Sequence, residues 1–421
     1  MKKYAIIGFG CAGFHAAKSI RQVDPEGQIT VFNDTGQPPF NPMLSTYYAS
    51  DKLGLDGVFP FGTLEELQQQ WSLDIHHNVR VDWVDAQSKT IKLEDGNKHS
   101  FDSILIATGA RAIVPPSFRE GGGDYYLMRT LEDAQRLRSR IEEGGIKRAT
   151  VIGGSMVGIK VAELLHENNI ETTIVDAASY LFPLAAYESI AKLIQQRLEE
   201  QGIKFVFGAQ VSTITQEGVV LGNGNTLESD IVCLCIGTTA NVELVANTKV
   251  VEDSPVKVNR GIVVDMHMQT TCPGIYAAGD CCEGINLQTG KTQIIGLWAN
   301  AAAQGSCAGR NMAGKSTVYY GNILHNITHF MDMDFIGLGD PTLPGERHTF
   351  KKDDLIVEAV LEGNKINSIN IFGNYKISGI LKNHLTKLLM GGDSKLTIAQ
   401  QGLLANQGLS WEFIKLIGGE I

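Results

Sequence analysis

Short apolar runs that close on glycine-rich turns set the pattern at the start of the chain. We predict a strand over residues 4–8, a helix over Phe14–Val23 and a second strand over the β-branched run Gln28–Asn33. The turn between the first strand and the helix has the spacing G-x-G-x-x-G. The start of the chain is therefore predicted to form a strand–turn–helix–strand unit.

The same pattern returns near residue 150. It predicts a strand over Thr150–Ile152, a turn over Gly153–Gly158, a helix over Met156–Asn168 and a strand over Glu171–Val175. A further helix is predicted over Ala185–Gln201. The chain thus carries an internal repeat.

Each copy of the repeat is followed by an apolar strand that ends on glycine, first Asp102–Gly109 and later Asp230–Gly237. We predict that the second copy is inserted before the first domain is complete, and that residues from about 245 to 320 supply the missing part. Residues 79–95 have the pattern of a small antiparallel insertion.

Glycines at this spacing have a physical purpose next to a phosphate. The first, Gly8, permits the tight turn, the second, Gly10, lets the backbone approach a pyrophosphate, and the third, Gly13, lets helix and strand pack closely. The start of the helix then offers free N–H groups to the phosphates. One such turn could also be a strand–turn–helix without a ligand. Two turns, together with Gly279-Asp280, indicate two dinucleotides held side by side, as when a flavin meets a nicotinamide.

The predicted fold class is α/β, with two Rossmann-like dinucleotide-binding domains, the second inserted in the first, and a C-terminal α+β domain. The first domain is predicted over residues 1–115 and 245–320, the second over 116–244 and the third over 321–421. Short strands over 354–361 and 366–373 and a helix over Lys376–Met390 define the third.

Composition narrows the classes of function. A net charge of −10 over 421 residues argues against nucleic-acid binding, which needs a basic patch. No apolar run approaches the roughly 20 residues that span a bilayer, and the start MKKYAIIGFG is interpreted as a strand and not a signal peptide. The seven cysteines include no C-x-x-C pair, and we predict a cytoplasmic protein. No metal site is predicted, because His76-His77 and His325 with His329 lack accompanying ligands.

The order of these motifs resembles the pyridine nucleotide–disulfide oxidoreductase family over about residues 1–320. Phe40–Ser45 and Trp298–Gly305 are similar to the branch that contains NADH:rubredoxin reductases, ferredoxin reductases and the flavin module of nitrite reductases. The resemblance implies FAD and NAD(H) as cofactors.

The resemblance also implies site residues. For FAD these are Gly8, Gly10, Cys11, Ala12, Gly13, Asp34, Pro42, Ser45, Val81, Ala107, Thr108, Gly109, Arg111, Gly279, Asp280 and Trp298. For NAD they are Gly153, Gly154, Met156, Val157, Gly158, Asp176 and Gly237. Lys160 and Trp298 are candidates for a catalytic role, and the acid that binds the adenosine ribose is Asp34 unless the family position falls on Thr35. Asp176 predicts NADH over NADPH, because a carboxylate accepts from a 2′-hydroxyl and repels a 2′-phosphate.

Departures from the family pattern are as informative as the matches. The region around Ser45 contains no cysteine, so disulfide and peroxide reduction through a thiolate are disfavoured. Lys160 stands where relatives have a glutamate, and Thr46 stands where they have its lysine partner. We expect an unpaired Lys160 near the flavin or, alternatively, a Lys160 that points to solvent. Ser155 and Met156 replace a glycine and an aromatic residue, which predicts weaker nicotinamide binding or its loss.

The leading hypothesis is an FAD-dependent oxidoreductase that takes hydride from NADH and passes electrons to a partner redox protein or enzyme subunit. One alternative is the flavin subunit of a multi-component dehydrogenase that oxidises an organic substrate and has a degenerate NAD site. Another is a redox sensor or interaction protein with structural FAD. A homodimer through the third domain is also considered.

Overall fold

The computed structural model describes residues 1–246, 255–363, 365–392 and 395–418. Residues 247–254, within the predicted second segment of the first domain, lie outside the described residues, as do 364, 393, 394 and 419–421 in the predicted third domain.

Strands and helices follow one another along the described chain. The strands before residue 116 are β1 (Lys3–Ile7), β2 (Gln28–Asn33), β3 (Leu73–His77), β4 (Val81–Asp85), β5 (Thr90–Leu93), β6 (Lys98–Ser100), β7 (Ser103–Ile106) and β8 (Ala110–Ala112). Next come β9 (Arg148–Ile152), β10 (Glu171–Val175), β11 (Lys204–Val206), β12 (Val211–Thr215), β13 (Gly218–Leu221), β14 (Thr226–Glu228), β15 (Ile231–Leu234) and β16 (Thr238–Ala240). The remaining strands are β17 (Ile262–Val263), β18 (Ile275–Ala277), β19 (Cys282–Ile285), β20 (Thr292–Gln293), β21 (His325–Phe330), β22 (Met333–Gly339), β23 (Glu346–Lys352), β24 (Leu355–Glu362) and β25 (Lys365–Phe372).

The helices are α1 (Cys11–Val23), α2 (Ser45–Ala49), α3 (Leu64–Trp71), α4 (Pro116–Glu120), α5 (Leu131–Glu142), α6 (Met156–Glu167), α7 (Glu188–Glu200), α8 (Glu243–Ala246), α9 (Trp298–Met312), α10 (Ser378–Leu389), α11 (Ile398–Asn406) and α12 (Trp411–Ile417). Short 3-10 turns cover Pro42–Leu44, Leu55–Val58 and Tyr375–Ile377. Among the described residues, no helix combines the length and the apolar character that a membrane span requires.

Two parallel sheets organise the first 320 residues. One has the order β18-β7-β1-β2-β3 and the other the order β11-β10-β9-β15, and each has its glycine turn after the central strand β1 or β9. The central strands β1 and β9 are buried at every residue but the first, as in parallel sheets covered by helices on both faces. The α/β class with Rossmann-like domains is confirmed. Strand β18 joins the first sheet although it follows the whole second sheet in sequence.

Helices α1 and α9 cover the first sheet at unusually close range. A methyl group on Gly305 would lie 2.2 Å from the Ala12 carbonyl oxygen, and one on Gly309 would lie 2.4 Å from that of Ala16. Backbones that meet this closely require glycine at the contact. The packing fixes the start of α9 beside the first glycine turn.

The C-terminal part is an antiparallel sheet of order β21-β22-β25-β24-β23. Helices α10, α11 and α12 share an apolar core with this sheet. A second apolar cluster joins the sheet to the second domain, where Phe182 stacks on Phe335 with ring centroids 5.2 Å apart. The Tyr187 N–H donates to Asn370 Oδ1 at 2.8 Å, so the chain before Glu188 docks on the sheet and helix α7 starts later than predicted.

Candidate dinucleotide-binding site

The first glycine turn holds helix α1 directly against the end of strand β1. Gly8 has φ of +94°, and a methyl group on it would lie 2.4 Å from the Ala107 carbonyl oxygen. A methyl group on Gly13 would lie 2.2 Å from the carbonyl oxygen of Gly8. Neither position can take a side chain without backbone movement, so both glycines serve packing.

Gly10 has a different surrounding. It is the N-cap of α1 without a side-chain cap, and a methyl group on it would meet no atom within 4 Å. The first N–H groups of a helix have no intrahelical acceptor, and they favour an anion. The turn therefore presents open space and free donors to a phosphate group, and the residues present fit the pyrophosphate of a dinucleotide.

Asp280 lies beside this turn and forms an ion pair that the sequence did not reveal. Arg129 Nη2 contacts Asp280 Oδ2 at 2.8 Å, and the two side chains are 23% and 17% exposed. Arg129 Nε also donates to the Ala110 carbonyl at 3.0 Å. Gly279, with φ of +86°, donates its N–H to buried Gln304 Oε1 at 2.9 Å. Arg129 Nη2 would lie 3.9 Å from a methyl group on Gly109, and the charge of Asp280 acts on Cys11 at the start of α1, so the pair lies between these two segments.

Thr108 and Gly109 are held by Asn241, another residue that sequence reasoning missed. Thr108 Oγ1 donates to the Asn241 carbonyl at 2.7 Å, and Asn241 Nδ2 donates back to the Thr108 carbonyl at 2.9 Å. The Asn241 N–H donates to the Gly109 carbonyl at 3.0 Å. Arg111 pairs with Glu243 at 2.7 Å and with Asn241 Oδ1 at 2.8 Å. These contacts link the two chain segments that connect the domains.

Trp298 and Cys11 meet where α9 and α1 begin. Cys11 Sγ donates to the Trp298 carbonyl at 3.4 Å. Burial and the charge of Asp280 raise the pKa of the Cys11 thiol to about 12, so it stays protonated. The Trp298 ring stacks on Phe61 with centroids 5.9 Å apart, and Phe61 stacks on Phe14 at 4.0 Å. The indole is thus part of an aromatic column at the edge of the site.

The other predicted FAD residues lie in the loop after β2, in the separate antiparallel sheet β4-β5-β6 and in helix α1. Ser45 is buried, and its Oγ donates to the Pro42 carbonyl at 2.8 Å. Val81 is buried in strand β4, and Ala12 lies against Gly279, where a methyl group would be 3.2 Å from its Cβ. Proximity to a flavin remains a prediction for these residues.

Asp34 is exposed and stands one position beyond the residue that corresponds to Asp176. The Gly8 N–H donates to the Phe32 carbonyl just as the Gly153 N–H donates to the Val175 carbonyl, so Asn33 occupies the place of Asp176. Asn33 is buried, and its side chain holds the loop by accepting from Thr35 and donating to Gln37.

The second glycine turn repeats the construction of the first. A methyl group on Gly153, with φ of +105°, would lie 2.5 Å from the Cys235 carbonyl oxygen. One on Gly158 would lie 2.0 Å from the carbonyl oxygen of Gly153. Met156 opens helix α6, the Val157 side chain is exposed, and Gly237 has φ of +106° where the chain leaves the sheet. The backbone frame for a second dinucleotide is present.

Ser155 occupies the position of Gly10 in the second turn. Its backbone is extended, with φ of −81°, so the side chain causes no strain. Its Oγ accepts from the Gly158 N–H at 3.1 Å and donates to the Cys235 carbonyl at 3.0 Å, which makes it the helix cap. Asp176 accepts from the Gly154 N–H at 2.6 Å and from the Ala178 N–H at 2.8 Å. The second turn thus satisfies several of its own donors.

The prediction of an unpaired or solvent-facing Lys160 is wrong. The Lys160 side chain is 13% exposed and forms an ion pair with buried Glu163, one turn further along α6. Its Nζ lies 4.8 Å from the ring centroid of Tyr47 in the first domain, and the other oxygen of Glu163 accepts from the Met331 N–H at 2.7 Å. The carboxylate absent from the family position is supplied from within the same helix, a contact that helical i, i+3 spacing could have indicated.

The cysteines and histidines do not form a further reactive centre in the described chain. All seven cysteines are free and buried, and burial raises the thiol pKa of Cys281. His325 and His329 both lie on strand β21. No cluster of metal-ligating side chains occurs among the described residues.

Residues 2–305 match the pyridine nucleotide-disulphide oxidoreductase family, and this match covers well over half of the sequence. The chain belongs to this family. It is an FAD-dependent NADH oxidoreductase, and FAD and NAD(H) are its two dinucleotides.

Two curated relatives are similar over most of their length. The epsilon subunit of NADH-dependent phenylglyoxylate dehydrogenase from Aromatoleum evansii is 30% identical, over 81% of this chain and 80% of that protein. Rubredoxin-NAD(+) reductase from Alcanivorax borkumensis is 28% identical, over 76% and 81%. Among solved structures, the water-forming NADH oxidase of Lactobacillus brevis, bound to NADH, has a TM-score of 0.86 at 22% identity and covers 94% of each chain. The structural likeness confirms the fold.

Proposed function

We propose that this chain oxidises NADH at a bound FAD and passes the electrons singly to a small redox protein or to a redox subunit of a larger enzyme. The observation that supports this most strongly is the pair of matched glycine turns. Both lie at the carboxyl ends of parallel strands, where open α/β sheets bind ligands, and the two domains touch there through Thr108–Asn241 and Tyr47–Lys160.

In this proposal the open turn at Gly10 holds the FAD pyrophosphate on the N–H groups of α1. Asp280 accepts from the ribityl hydroxyls, and the Arg129 guanidinium offsets phosphate charge. When bound, the flavin supplies hydride acceptance and single-electron release. Ser155–Gly158 and Asp176 hold NADH, and the Asp176 carboxylate disfavours the 2′-phosphate of NADPH.

The acceptor class is supported by the relatives and by the cysteines. One relative is named for rubredoxin, and the other is a subunit of a multi-component dehydrogenase. The seven buried thiols offer no exposed pair for disulfide chemistry. Unpaired thiols also support the cytoplasmic location that we propose.

A second candidate is a flavin subunit that receives its electrons from an organic substrate through partner subunits, with an NAD site that has lost its function. The similarity to the Aromatoleum evansii subunit favours the subunit role. The capped turn at Ser155 would be the mark of that loss.

Anaerobic mixing of the FAD-loaded protein with NADH tests the proposal. We expect rapid bleaching of the flavin, followed by its return on addition of oxidised rubredoxin or ferredoxin in a two-to-one ratio. Flavin that stays oxidised with NADH would reject the proposal and leave the second candidate. If NADH bleaches the flavin but neither protein reoxidises it, only the proposed class of acceptor is rejected.

We also propose a homodimer through the exposed face of α11 and α12. Ile398, Leu403 and Trp411 are 87%, 54% and 51% exposed there, and a second copy of the chain would bury them. Light scattering measures the molar mass of the Leu403→Asp and Trp411→Asp variants, and we expect both to be monomers. A dimer that persists in both variants would mean that the interface lies elsewhere.

A further inference from the structure

A cavity of about 540 Å³ lies where the turn between β19 and β20 meets the C-terminal sheet and helix α10, and we name it the β25–α10 cavity. Its volume falls in the range of about 300–1,000 Å³ in which proteins bind small organic molecules. No residue of either glycine turn lines it. The lining residues are Leu287, Gln288, Glu362, Lys365, Ile366, Leu388 and Leu389.

The larger part of the β25–α10 cavity is apolar. Ile366 is 1% exposed and belongs to the core that the sheet shares with the C-terminal helices. Leu287, Leu388 and Leu389 pack against the same core but are only partly buried. The three leucines therefore leave apolar surface around one cavity, and an apolar group of a ligand would remove that surface from water.

One buried hydrogen-bond acceptor of the cavity lining has no partner. Gln288 Nε2 donates to the Asn367 carbonyl oxygen. Because a carbonyl can only accept, this contact fixes the orientation of the amide group and leaves Oε1 as the other atom. Gln288 Oε1 is buried and has no hydrogen-bond partner in the described part of the chain. Such an atom is costly to bury, and a ligand that carries an N–H group would supply the missing donor.

Two opposite charges complete the lining. Glu362 ends β24 and Lys365 begins β25, and the two residues are paired directly across the hairpin. Both side chains are exposed, and neither forms an ion pair with any residue that the structure describes. The Cβ atoms of directly opposite residues lie about 4.5–5.5 Å apart. The cavity thus offers one anion and one cation side by side, with no net charge.

These groups together match the chemistry of a zwitterion with an apolar side chain. In an α-amino acid the carboxylate and the ammonium group are attached to one carbon atom, so they can meet Lys365 and Glu362 at the same time. The ammonium group also brings N–H donors for Gln288 Oε1. A nucleotide or another polyanion fits less well, because Glu362 would repel it as Lys365 attracts it.

We propose that the β25–α10 cavity binds an α-amino acid with a large apolar side chain. The side chain covers the leucines, the carboxylate pairs with Lys365, and the ammonium group pairs with Glu362 and donates to Gln288. Because the lining comes from the β19–β20 turn as well as from the C-terminal sheet and α10, the bound molecule joins these segments. Binding therefore stabilises the folded protein.

Calorimetric titration of the FAD-loaded protein with L-phenylalanine tests the proposal. We expect one site with a Kd below about 1 mM. Two analogues each lack one charge: 3-phenylpropionate has no ammonium group, and phenethylamine has no carboxylate. Each should bind at least about tenfold more weakly than L-phenylalanine. The Tm should rise with the concentration of L-phenylalanine.

Substitutions at the two charges assign the binding to this cavity. Lys365→Gln should weaken L-phenylalanine binding at least about tenfold and leave phenethylamine binding unchanged, because phenethylamine has no carboxylate to lose its partner. Glu362→Gln should weaken L-phenylalanine binding to the same degree and leave 3-phenylpropionate binding unchanged. Lys351→Gln is the matched control, because this exposed lysine of β23 belongs to the same sheet and does not line the cavity.

Absence of binding heat with L-phenylalanine up to about 10 mM would overturn the proposal. Equal affinity for L-phenylalanine and both analogues would also overturn it, as would unchanged L-phenylalanine affinity in both Lys365→Gln and Glu362→Gln. These titrations involve no turnover, so their outcome is independent of whether NADH reduces the flavin.

Discussion

The two glycine turns share their backbone and differ at one position. Gly8 and Gly153 each face a carbonyl oxygen of the neighbouring strand, and Gly13 and Gly158 each sit against the first glycine of their own turn. The middle position is open at Gly10 and capped by a hydroxyl at Ser155.

The difference separates two uses of the same frame. The open turn leaves its helix donors to the ligand, so folding gains nothing there until the cofactor binds. The capped turn stabilises its helix without a ligand, because Ser155 and Asp176 accept from the backbone N–H groups. This contrast predicts a tightly held flavin in the first turn and an exchangeable nicotinamide in the second.

The largest effect is expected when the third glycine is replaced. Gly13→Ala should weaken FAD binding by about 5- to 150-fold, because overpacking costs about 1–3 kcal/mol and displaces α1. The matched change Gly158→Ala should abolish flavin bleaching by NADH while FAD stays bound. Titration of each FAD-free variant with FAD, followed by flavin fluorescence, measures the FAD affinity, and anaerobic mixing of each FAD-loaded variant with NADH measures bleaching. Equal loss of FAD in the two variants would contradict the separate roles of the turns.

Replacing Gly10 by Ser turns the open turn into a copy of the capped one. We expect FAD affinity to fall about tenfold, while the FAD-free protein gains a few tenths of a kcal/mol from the new cap. Fluorescence titration and thermal melting give the two values. Gly379→Ser is the control, since this glycine of α10 also faces open space and is distant in sequence from both turns. Unchanged FAD affinity in Gly10→Ser would show that the pyrophosphate lies elsewhere.

Asp176 should set the choice between the nicotinamide cofactors. Asp176→Asn removes the charge that repels a 2′-phosphate, so the ratio of kcat/KM for NADPH to that for NADH should rise by about tenfold. Asp34→Asn removes an exposed carboxylate of the first domain and should leave this ratio unchanged. Steady-state kinetics with both cofactors would refute the assignment if the ratio in Asp176→Asn stayed the same.

The smallest effect is expected from reopening the second turn. Ser155→Gly should lower the KM for NADH about threefold, because donors that the hydroxyl now occupies become free, and should cost a few tenths of a kcal/mol in stability. Initial rates and thermal melting measure the change. A higher KM would mean that the serine hydroxyl itself binds the cofactor.

Local pattern was sufficient for the elements around both turns. Strands β2 and β10 have the bounds predicted from Gln28–Asn33 and Glu171–Val175, and the fold class follows from their repetition. Arg129 and Asn241 could not be predicted, because their partners, Asp280 and Thr108, lie more than 130 residues away. Such contacts arise from the way the domains are connected and have no local signal.

The error at Lys160 has a similar origin. In the family pattern a glutamate stands at position 160 and its lysine partner at position 46, so the pattern names no partner for Lys160. Only the structure shows which neighbouring side chain turns inward. Glu163 does so because the Met331 N–H offers its second oxygen a donor. A charged residue in a helix has several partners within reach, and tertiary packing selects among them.

The sheet that starts at Lys3 is finished only by Ile275–Ala277, and its covering helix α9 ends at Met312. During synthesis, the intervening second domain can fold as a continuous unit while the first half of its neighbour still waits for its last strand. We therefore expect the flavin to join a nearly completed chain, and a ribosome that stalls before α9 to leave a product in which the first sheet lacks its covering helix.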